Sequence, residues 1–299
     1  MRPVTQSMMR TMMSCEEKMR LRYLEGLVSP DPPSPALSIG SAVHLGFEVG
    51  SADAAVASLR ESRGPAWLEH EADALELDCA KVRAMVEGGL KLWKIWPSTP
   101  EEQFIIPFTN PATGKASTKH TLEGVFDGVF LPYELPGVKG LCLLEIKTTS
   151  RLDSAYLERL DLDWQVSAYL AAASVLYQVR VRKMVYRIIR KPSIRQRKNE
   201  TLEEYVNRLV ADYEERPEFY FEQVIVERTD QQIERWWYEA WELHERILRI
   251  ENGGMTIRNS SHCLDFGRCT YFNLCRGIVG PSAFRVQEAH PELRRRPQS

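Results

Sequence analysis

The sequence predicts an α/β fold in which a mixed central sheet is flanked by helices. Four strand-like segments follow Pro97, and the link between the second and the third is rich in turn residues, which favours an antiparallel hairpin. A helical segment at 154–178 separates the third strand from the fourth, and this β-α-β order favours a parallel pair. Long helical segments precede and follow the strands, so we expect one α/β domain with helical additions at both ends.

Composition restricts the class of protein. The chain has 299 residues, of which 43% are hydrophobic, enough for a sizeable core. It contains no run of about 18 apolar residues and no signal-peptide pattern, so we expect a cytoplasmic protein without a membrane span. In that reducing compartment the six cysteines are thiols or metal ligands rather than disulfides. Because the formal net charge is only −2, any nucleic-acid surface must be a local basic lining.

Five segments follow one another along the chain. We predict a helical N-terminal segment at 1–50 and a helical insertion at 51–97. A strand-rich core follows at 98–228, and a C-terminal helix with a cysteine group at 229–285. The tail at 286–299 is expected to be disordered. Within the first segment a helix is expected over 14–26, with Ser14 as its N-cap and Gly26 at its end.

Two of the predicted strands carry acidic residues where apolar residues are usual. Asp127 lies between two glycines in "TLEGVFDGVF", and Glu145 and Lys147 share one face of "CLLEIKTTS". If the two strands pair, Asp127 and Glu145 converge, and their hard oxygen ligands suit Mg²⁺ or Mn²⁺. A nearby lysine can orient water or neutralise phosphate charge, which suggests metal-assisted phosphodiester hydrolysis. The alternative is a structural Glu–Lys ion pair at a strand end with an unrelated aspartate in a turn.

Further motifs occur in a fixed order around these residues: "SCEEKMRLRYLEGL", "GSAVH", "EGVFDGV", "LLEIKTT" and "DWQVSAYLAA". This series resembles the RecB-type branch of the PD-(D/E)xK nuclease superfamily, over about residues 14–275, with no motif in the helical segment from about 50 to 100. The resemblance implies a restriction-endonuclease-like core. It implies that metal is held by His44, Asp127, Glu145 and the main-chain carbonyl of Ile146.

The same resemblance assigns the remaining motif residues and the activity. It implies that Lys147 is the catalytic lysine, and that Gln165 and Tyr169 support the site or contact DNA. The function implied is a Mg²⁺- or Mn²⁺-dependent DNA exonuclease of a phage or bacterium, acting on single strands or free ends in recombination, repair or processing, as a homo-oligomer or with a recombination partner. The alternatives are a CRISPR-adaptation nuclease, and a non-catalytic DNA-binding protein of the same fold.

The C-terminal cysteines form a separate motif. Cys263, Cys269 and Cys275 are spaced C-x5-C-x5-C, which suits zinc, an iron–sulfur cluster or unligated thiols. The resemblance to exonucleases of the AddB and CRISPR-associated kinds implies a [4Fe–4S] cluster that also uses Cys15 and ties the two ends of the chain together. The commoner family spacing is C-x2-C-x5-C. In this chain Phe266 stands where a cysteine of that run would fall. Zinc with structural acidic residues, as in an interaction module, is the alternative.

A basic segment follows the fourth predicted strand. "RIIRKPSIRQRKNE" at 187–200 is rich in lysine and arginine and can form phosphate contacts along a DNA backbone. A solvated loop is the equally open alternative.

Overall fold

The computed structural model describes residues 1–31, 34–64, 69–265 and 267–293. Eight strands are numbered in chain order: β1 Arg2–Thr5, β2 Leu27–Val28, β3 Thr99–Thr109, β4 Ala116–Phe130, β5 Cys142–Thr149, β6 Lys183–Arg190, β7 Phe221–Glu227 and β8 Arg285–Val286. The α-helices are α1 Gln6–Ser14, α2 Glu16–Met19, α3 Pro35–Glu48, α4 Ala52–Arg63, α5 Glu69–Leu92, α6 Ser154–Arg159, α7 Trp164–Leu176, α8 Leu202–Glu215, α9 Pro217–Tyr220, α10 Asp230–Glu251 and α11 Phe272–Cys275. No helix within these described ranges is long and apolar enough to span a membrane.

The central sheet is mixed, as predicted. Strands β4 and β5 pair antiparallel across the turn-rich link, and β5 pairs parallel with β6 across the helical crossover. The sheet has six strands, because β1 pairs parallel with β4 and β7 pairs antiparallel with β6. The sequence analysis predicted neither β1 nor β7. Strand β7 alternates polar and apolar residues, whereas β1 is four residues long and has too short a pattern to recognise.

The long strand β4 divides the sheet. Its whole length pairs on one edge with β3. Strands β1 and β5 must therefore share the other edge, where β1 pairs with residues 120–123 and β5 pairs with residues 128–130. Residues 124–127 lie between these two partners, so β5 separates from β4 at Asp127.

Helices cover both faces of the sheet. Alternate strand residues, such as Leu143 and Leu144, belong to two different buried clusters because successive side chains point to opposite faces. One cluster packs against α1, α7 and α10, and the other packs against α3, α4, α5 and α8. The expected helical insertion at 51–97 thus contributes α4 and α5 to one face of the core, and Trp67 within it lies outside the described residues.

Helix α3 packs closely on its neighbours. A Cβ atom added at Gly46 would lie 2.8 Å from a methyl group of Val86 and 2.9 Å from the Cβ of Ala55. Gly46 therefore permits the approach of α3 to α4 and α5. This contact fixes the position of His44, two residues earlier on α3.

Two predicted helices are interrupted. The expected N-cap Ser14 is wrong, because Ser14 is the last residue of α1 and Cys15 is extended (φ −167°) between α1 and α2. Helix α1 begins directly after β1, with its first turn capped by Thr5. The predicted helix 154–178 breaks at Asp163, which caps α7 by accepting from the backbone N–H groups of Gln165 and Val166.

The two ends of the chain are in contact. Arg246 makes two bonds of 2.7 Å to the carboxylate of Glu16, and the hydroxyl of Tyr271 donates to the carbonyl of Leu27 at 2.6 Å. In the segment expected to be a disordered tail, β8 pairs with β2, and His290 is buried. Residues 294–299 of that segment, with its arginine run, lie outside the described residues.

We predict opposite effects of two glycine substitutions in α3. Gly46→Ala should lower the free energy of unfolding by about 1–3 kcal/mol, because the added methyl group collides with Val86 and Ala55. Gly40→Ala is the matched control, since its added Cβ meets only Thr148, at 3.7 Å. That change should raise the unfolding free energy by about 0.5–1 kcal/mol through helix propensity. Urea unfolding of both variants measures the difference, and equal effects would contradict the packing described for α3.

Candidate active site

The site forms where β5 separates from β4. Asp127 accepts a hydrogen bond of 2.7 Å from the backbone N–H of Ile146, so its carboxylate satisfies a donor that the divided ladder leaves unpaired. The Nδ1 atom of His44 lies 3.5 Å from the same carboxylate oxygen, and the imidazole also bonds to the backbone of Ile146. The structure therefore brings His44 and Asp127 together at Ile146.

Glu145 lies beside this group and is almost completely buried, with 1% of its surface exposed. Its Oε1 atom accepts a hydrogen bond of 2.8 Å from the side-chain amide of Gln165 and forms an ion pair with Lys147. Its Oε2 atom is buried and has no hydrogen-bond partner within the described part of the chain. A buried carboxylate oxygen without a donor is costly and needs a positive or polar partner to stabilise it.

Burial and mutual repulsion shift the ionisation of these groups. Burial, followed by the charge of Asp127, raises the pKa of Glu145 to about 7. Burial also raises the pKa of Asp127, although Lys147 opposes that change. Burial and the Lys147 charge lower the pKa of His44 to about 4, so the imidazole is neutral near pH 7, the form that ligates metals. The site thus concentrates negative charge that folding alone does not stabilise.

Lys147 provides the positive charge among these acids. Burial lowers the pKa of its ammonium group, but the charges of Glu145 and Asp127 outweigh burial and raise it. The side chain is about one-third exposed, so its charged end lies at the boundary between the buried carboxylates and solvent.

The donor set fits a hard divalent cation. Two carboxylates and a neutral imidazole are ligands that Mg²⁺ or Mn²⁺ accepts, and such an ion would satisfy the unpartnered oxygen of Glu145. Across the described ranges, no three His, Cys, Asp or Glu side chains are arranged in ligating geometry. Two of these side chains have protein partners instead: Glu145 bonds to Lys147, and Asp127 bonds to the Ile146 N–H.

Two predicted support residues are placed differently. Gln165, in the first turn of α7, contacts Glu145 directly. Tyr169, one turn later, packs edge-on against Phe126 at 5.5 Å and Phe104 at 6.1 Å. Phe126 precedes Asp127, so Tyr169 supports the strand that carries the aspartate.

Two further residues, neither of them predicted from the sequence, support the site. Asp163 caps α7 and interacts electrostatically with Lys147. Arg228 is buried and donates from Nη2 to the backbone carbonyls of Leu160 and Asp163, at 2.6 and 3.1 Å, so it fixes the turn that precedes α7. The short D-W-Q sequence carries the capping signal, since Asp is a preferred N-cap, whereas the distant Arg228 leaves no local signal.

The glycines beside Asp127 serve packing rather than ligand approach. A Cβ at Gly124 would lie 2.7 Å from the ring of Phe104, and a Cβ at Gly128 would lie 2.5 Å from the ring of Pro97. Pro97 and Trp96 in turn line a cavity of about 100 Å³ that opens beside His44 and Asp127. Both glycines therefore allow neighbouring rings to approach β4 closely.

Comparison with known proteins identifies the family. The sequence model of the PD-(D/E)XK nuclease superfamily matches residues 3–276. The chain belongs to this superfamily. Its fold is similar to the crystal structure of a protein named "Putative exonuclease" from Eubacterium rectale, with a TM-score of 0.54 and 15% sequence identity, covering 92% of this chain and 88% of that chain. At this identity the likeness concerns the fold alone, and no curated protein matches the chain.

The four cysteines predicted to ligate a cluster lie in the same region of the structure but are not arranged as a cluster site. Burial raises the pKa of the Cys275 thiol, and the charges of Glu17, Cys269 and Cys15 raise it further, so Cys15 lies near the C-terminal group. Cys263 is joined to Cys269 by a backbone hydrogen bond of 2.8 Å. The four thiols do not form a ligating cluster in the described part of the chain. Phe266 lies outside the described residues.

The basic segment is partly structural. Arg187 is buried in β6, Arg190 lies 4.1 Å above the ring of Phe219, and the ammonium of Lys191 donates to the carbonyl of Ala36 at 3.3 Å. These three residues are held by the protein, so any phosphate contacts fall to the rest of the loop that follows.

We predict that Asp163 contributes to stability through its cap. Asp163→Ala should lower the unfolding free energy by about 1 kcal/mol, because two N–H groups of α7 lose their acceptor. Asp163→Asn is the matched control, since an asparagine side chain retains the cap without the charge and should change stability by less than about 0.5 kcal/mol. Chemical denaturation distinguishes the two, and equal losses would assign the effect to charge instead.

Proposed function

We propose that this chain is a divalent-metal-dependent deoxyribonuclease that acts as an exonuclease on DNA ends or single strands. The observation that carries the proposal is the buried Glu145, which has an unpartnered oxygen and lies beside Asp127, His44 and Lys147. Membership of a nuclease superfamily supports DNA as the substrate. The exonuclease assignment rests on the motif series and accords with the name given to the Eubacterium rectale protein.

Each residue has a proposed role. His44, Asp127, Glu145 and the Ile146 carbonyl would hold Mg²⁺ or Mn²⁺, which would polarise the phosphate and promote formation of the nucleophile. Lys147 neutralises charge on the phosphate and orients the attacking water. Gln165 holds the Glu145 carboxylate through its bond to Oε1. Tyr169 acts indirectly, by packing behind Asp127.

For the biological setting we propose DNA recombination, repair or processing in a phage or a bacterium, with CRISPR adaptation as the alternative. A non-catalytic DNA-binding role is the alternative at the level of activity, and the next experiment distinguishes it.

We predict that Glu145→Ala and Lys147→Ala each reduce cleavage at least about 100-fold. The assay digests 5′- and 3′-labelled single- and double-stranded DNA with Mn²⁺, and EDTA should stop the wild-type reaction. Added Mn²⁺ should raise the melting temperature of wild type and of Lys147→Ala, because an ammonium is not a ligand. It should have little effect on Glu145→Ala.

The control is another Lys–Glu pair of the sheet. Lys183 and Glu227 form an exposed ion pair of 2.8 Å on β6 and β7, and alanine at either position should leave cleavage unchanged. Wild-type rates in Glu145→Ala would refute the metal site, and absence of cleavage by wild type with either metal would favour the non-catalytic role.

We also propose that Cys15, Cys263, Cys269 and Cys275 ligate one [4Fe–4S] cluster, with zinc as the alternative ion. Support comes from the electrostatic proximity of Cys15, Cys269 and Cys275, and from the contacts that join the two ends of the chain. The cluster would be structural, since hydrolysis requires no electron transfer. The two remaining cysteines, Cys79 and Cys142, are buried among apolar residues and have no proposed role.

We predict that Cys15→Ser removes absorbance near 400 nm from anaerobically purified protein and lowers its melting temperature. The reason is that loss of a ligand releases the link between the two ends. The matched control is Cys79→Ala, which should keep both the colour and the iron. Metal analysis gives the result: about four irons per chain in Cys15→Ser would refute the ligand set, and zinc in wild type would favour the alternative.

A further inference from the structure

A short strap, defined as residues 93–97, connects α5 to β3 and borders the active site. Three hydrogen bonds hold it: the Trp93 N–H donates to the carbonyl of Gly89 at 2.8 Å, the Trp96 indole donates to the carbonyl of Trp93 at 2.8 Å, and Arg187 donates to the carbonyl of Ile95 at 2.7 Å. At its end, Pro97 packs on Gly128. The strap is therefore fixed beside the strand that carries Asp127.

Arg187 is an unusual anchor for this strap. It is 2% exposed and has no carboxylate partner in the described part of the chain; its guanidinium lies 5.0 Å from the ring of Trp93 and 4.5 Å from that of Trp96. One of its nitrogens, Nη1, is buried without a hydrogen-bond partner. Burying a cation in this way is costly, and an apolar side chain would fill the same space at less cost. What Arg187 provides is the position of the two tryptophans.

The strap and α3 enclose the cavity beside His44 and Asp127. Its apolar wall includes Trp96, Pro97 and Phe47, and its volume is about 100 Å³. For comparison, a cavity of about 150 Å³ holds one benzene ring. The cavity, open at its mouth, can admit part of one planar ring, but it cannot admit a base pair.

Charge decides what kind of group this cavity accepts. Glu48 and Glu101 line the cavity beside the proposed metal ligand Asp127, and their charge disfavours any phosphate other than the one that a bound metal would hold. A nucleobase suits it better, because aromatic side chains pack against bases and carboxylates accept from exocyclic amino groups. Register also places Glu101 opposite Asp127, since Pro100 pairs with Gly128 and Glu102 pairs with Phe126.

We propose that this cavity receives part of one unpaired nucleobase next to the scissile phosphate, with Trp96 as a specificity-determining residue and Arg187 as the residue that positions it. The proposal rests on the nuclease function proposed above. It makes cleavage depend on a base that has left its pair, as in a single strand or a frayed end.

The test is a binding measurement that requires no cleavage. In a Lys147→Ala background with Ca²⁺, fluorescence anisotropy compares a single-stranded oligonucleotide with versions that carry two abasic nucleotides at the 5′ or the 3′ end. Trp96→Leu should weaken binding of the intact strand about tenfold. It should change binding of the strand that is abasic at the engaged end by less than about twofold, because the partner of Trp96 is already absent.

Two further variants complete the design. Trp237→Leu is the matched control, since this half-buried tryptophan lines a different cavity, and it should leave the preference for intact over abasic DNA unchanged. Arg187→Met should reduce that preference as Trp96→Leu does, and Arg187→Lys should restore part of it. If Trp96→Leu does not fold, Trp96→Phe replaces it in the binding measurement, because it is a smaller change that retains a ring.

The binding measurement tests the base site, and the cleavage assay tests the nuclease function, so each proposal can fail without the other. Equal weakening of intact and abasic strands by Trp96→Leu, or no weakening of either, overturns the base-binding proposal and leaves the nuclease function standing. Absence of cleavage by wild type overturns the nuclease function, whereas a preference for intact ends that is lost in Trp96→Leu still supports the base site.

Discussion

The site depends on one hydrogen bond, from the backbone N–H of Ile146 to the side chain of Asp127. A strand that leaves its neighbour exposes backbone groups that must find other partners. Here the partner is a carboxylate on the neighbouring strand itself. The separation of β5 from β4 is thereby stabilised at the position where β1 takes over the same edge of β4. His44, Glu145 and Lys147 are all placed relative to this fork.

The second property of the site is the burial of two carboxylates that repel each other. Glu145 is buried near another carboxylate, and its pKa is raised to about 7 in spite of Lys147 and Gln165. Burying these two carboxylates together reduces the stability of the folded protein. Shifted pKa values of this kind are common at functional sites. Specific contacts hold the supporting structure: Asp163 caps α7, and the buried Arg228 bonds to the turn before it.

Local patterns were sufficient for much of the fold. The strand alternation predicted β3 to β6, and the turn-rich link and the intervening helix predicted their pairing directions. The positions of Asp127, Glu145 and His44 followed from the motif series. What could not be predicted depends on long-range contacts: the pairing of β1 with β4, the turn held by Arg228, and the anchoring of the strap by Arg187. The packing role of Gly128 likewise depends on Pro97, about thirty residues away in sequence.

The parallel pairing of β1 has a consequence for the order of folding. Strand β1 has its partner at residues 120–123, and Glu16 binds Arg246, more than two hundred residues later. The N-terminal segment must therefore wait, without its partners, until most of the chain has emerged. Such distant contacts slow folding and leave apolar residues such as Met8 and Met9 exposed meanwhile. Nascent chains that end before Arg246 cannot form the contact between Glu16 and Arg246, so this closure of the fold must follow the synthesis of α10.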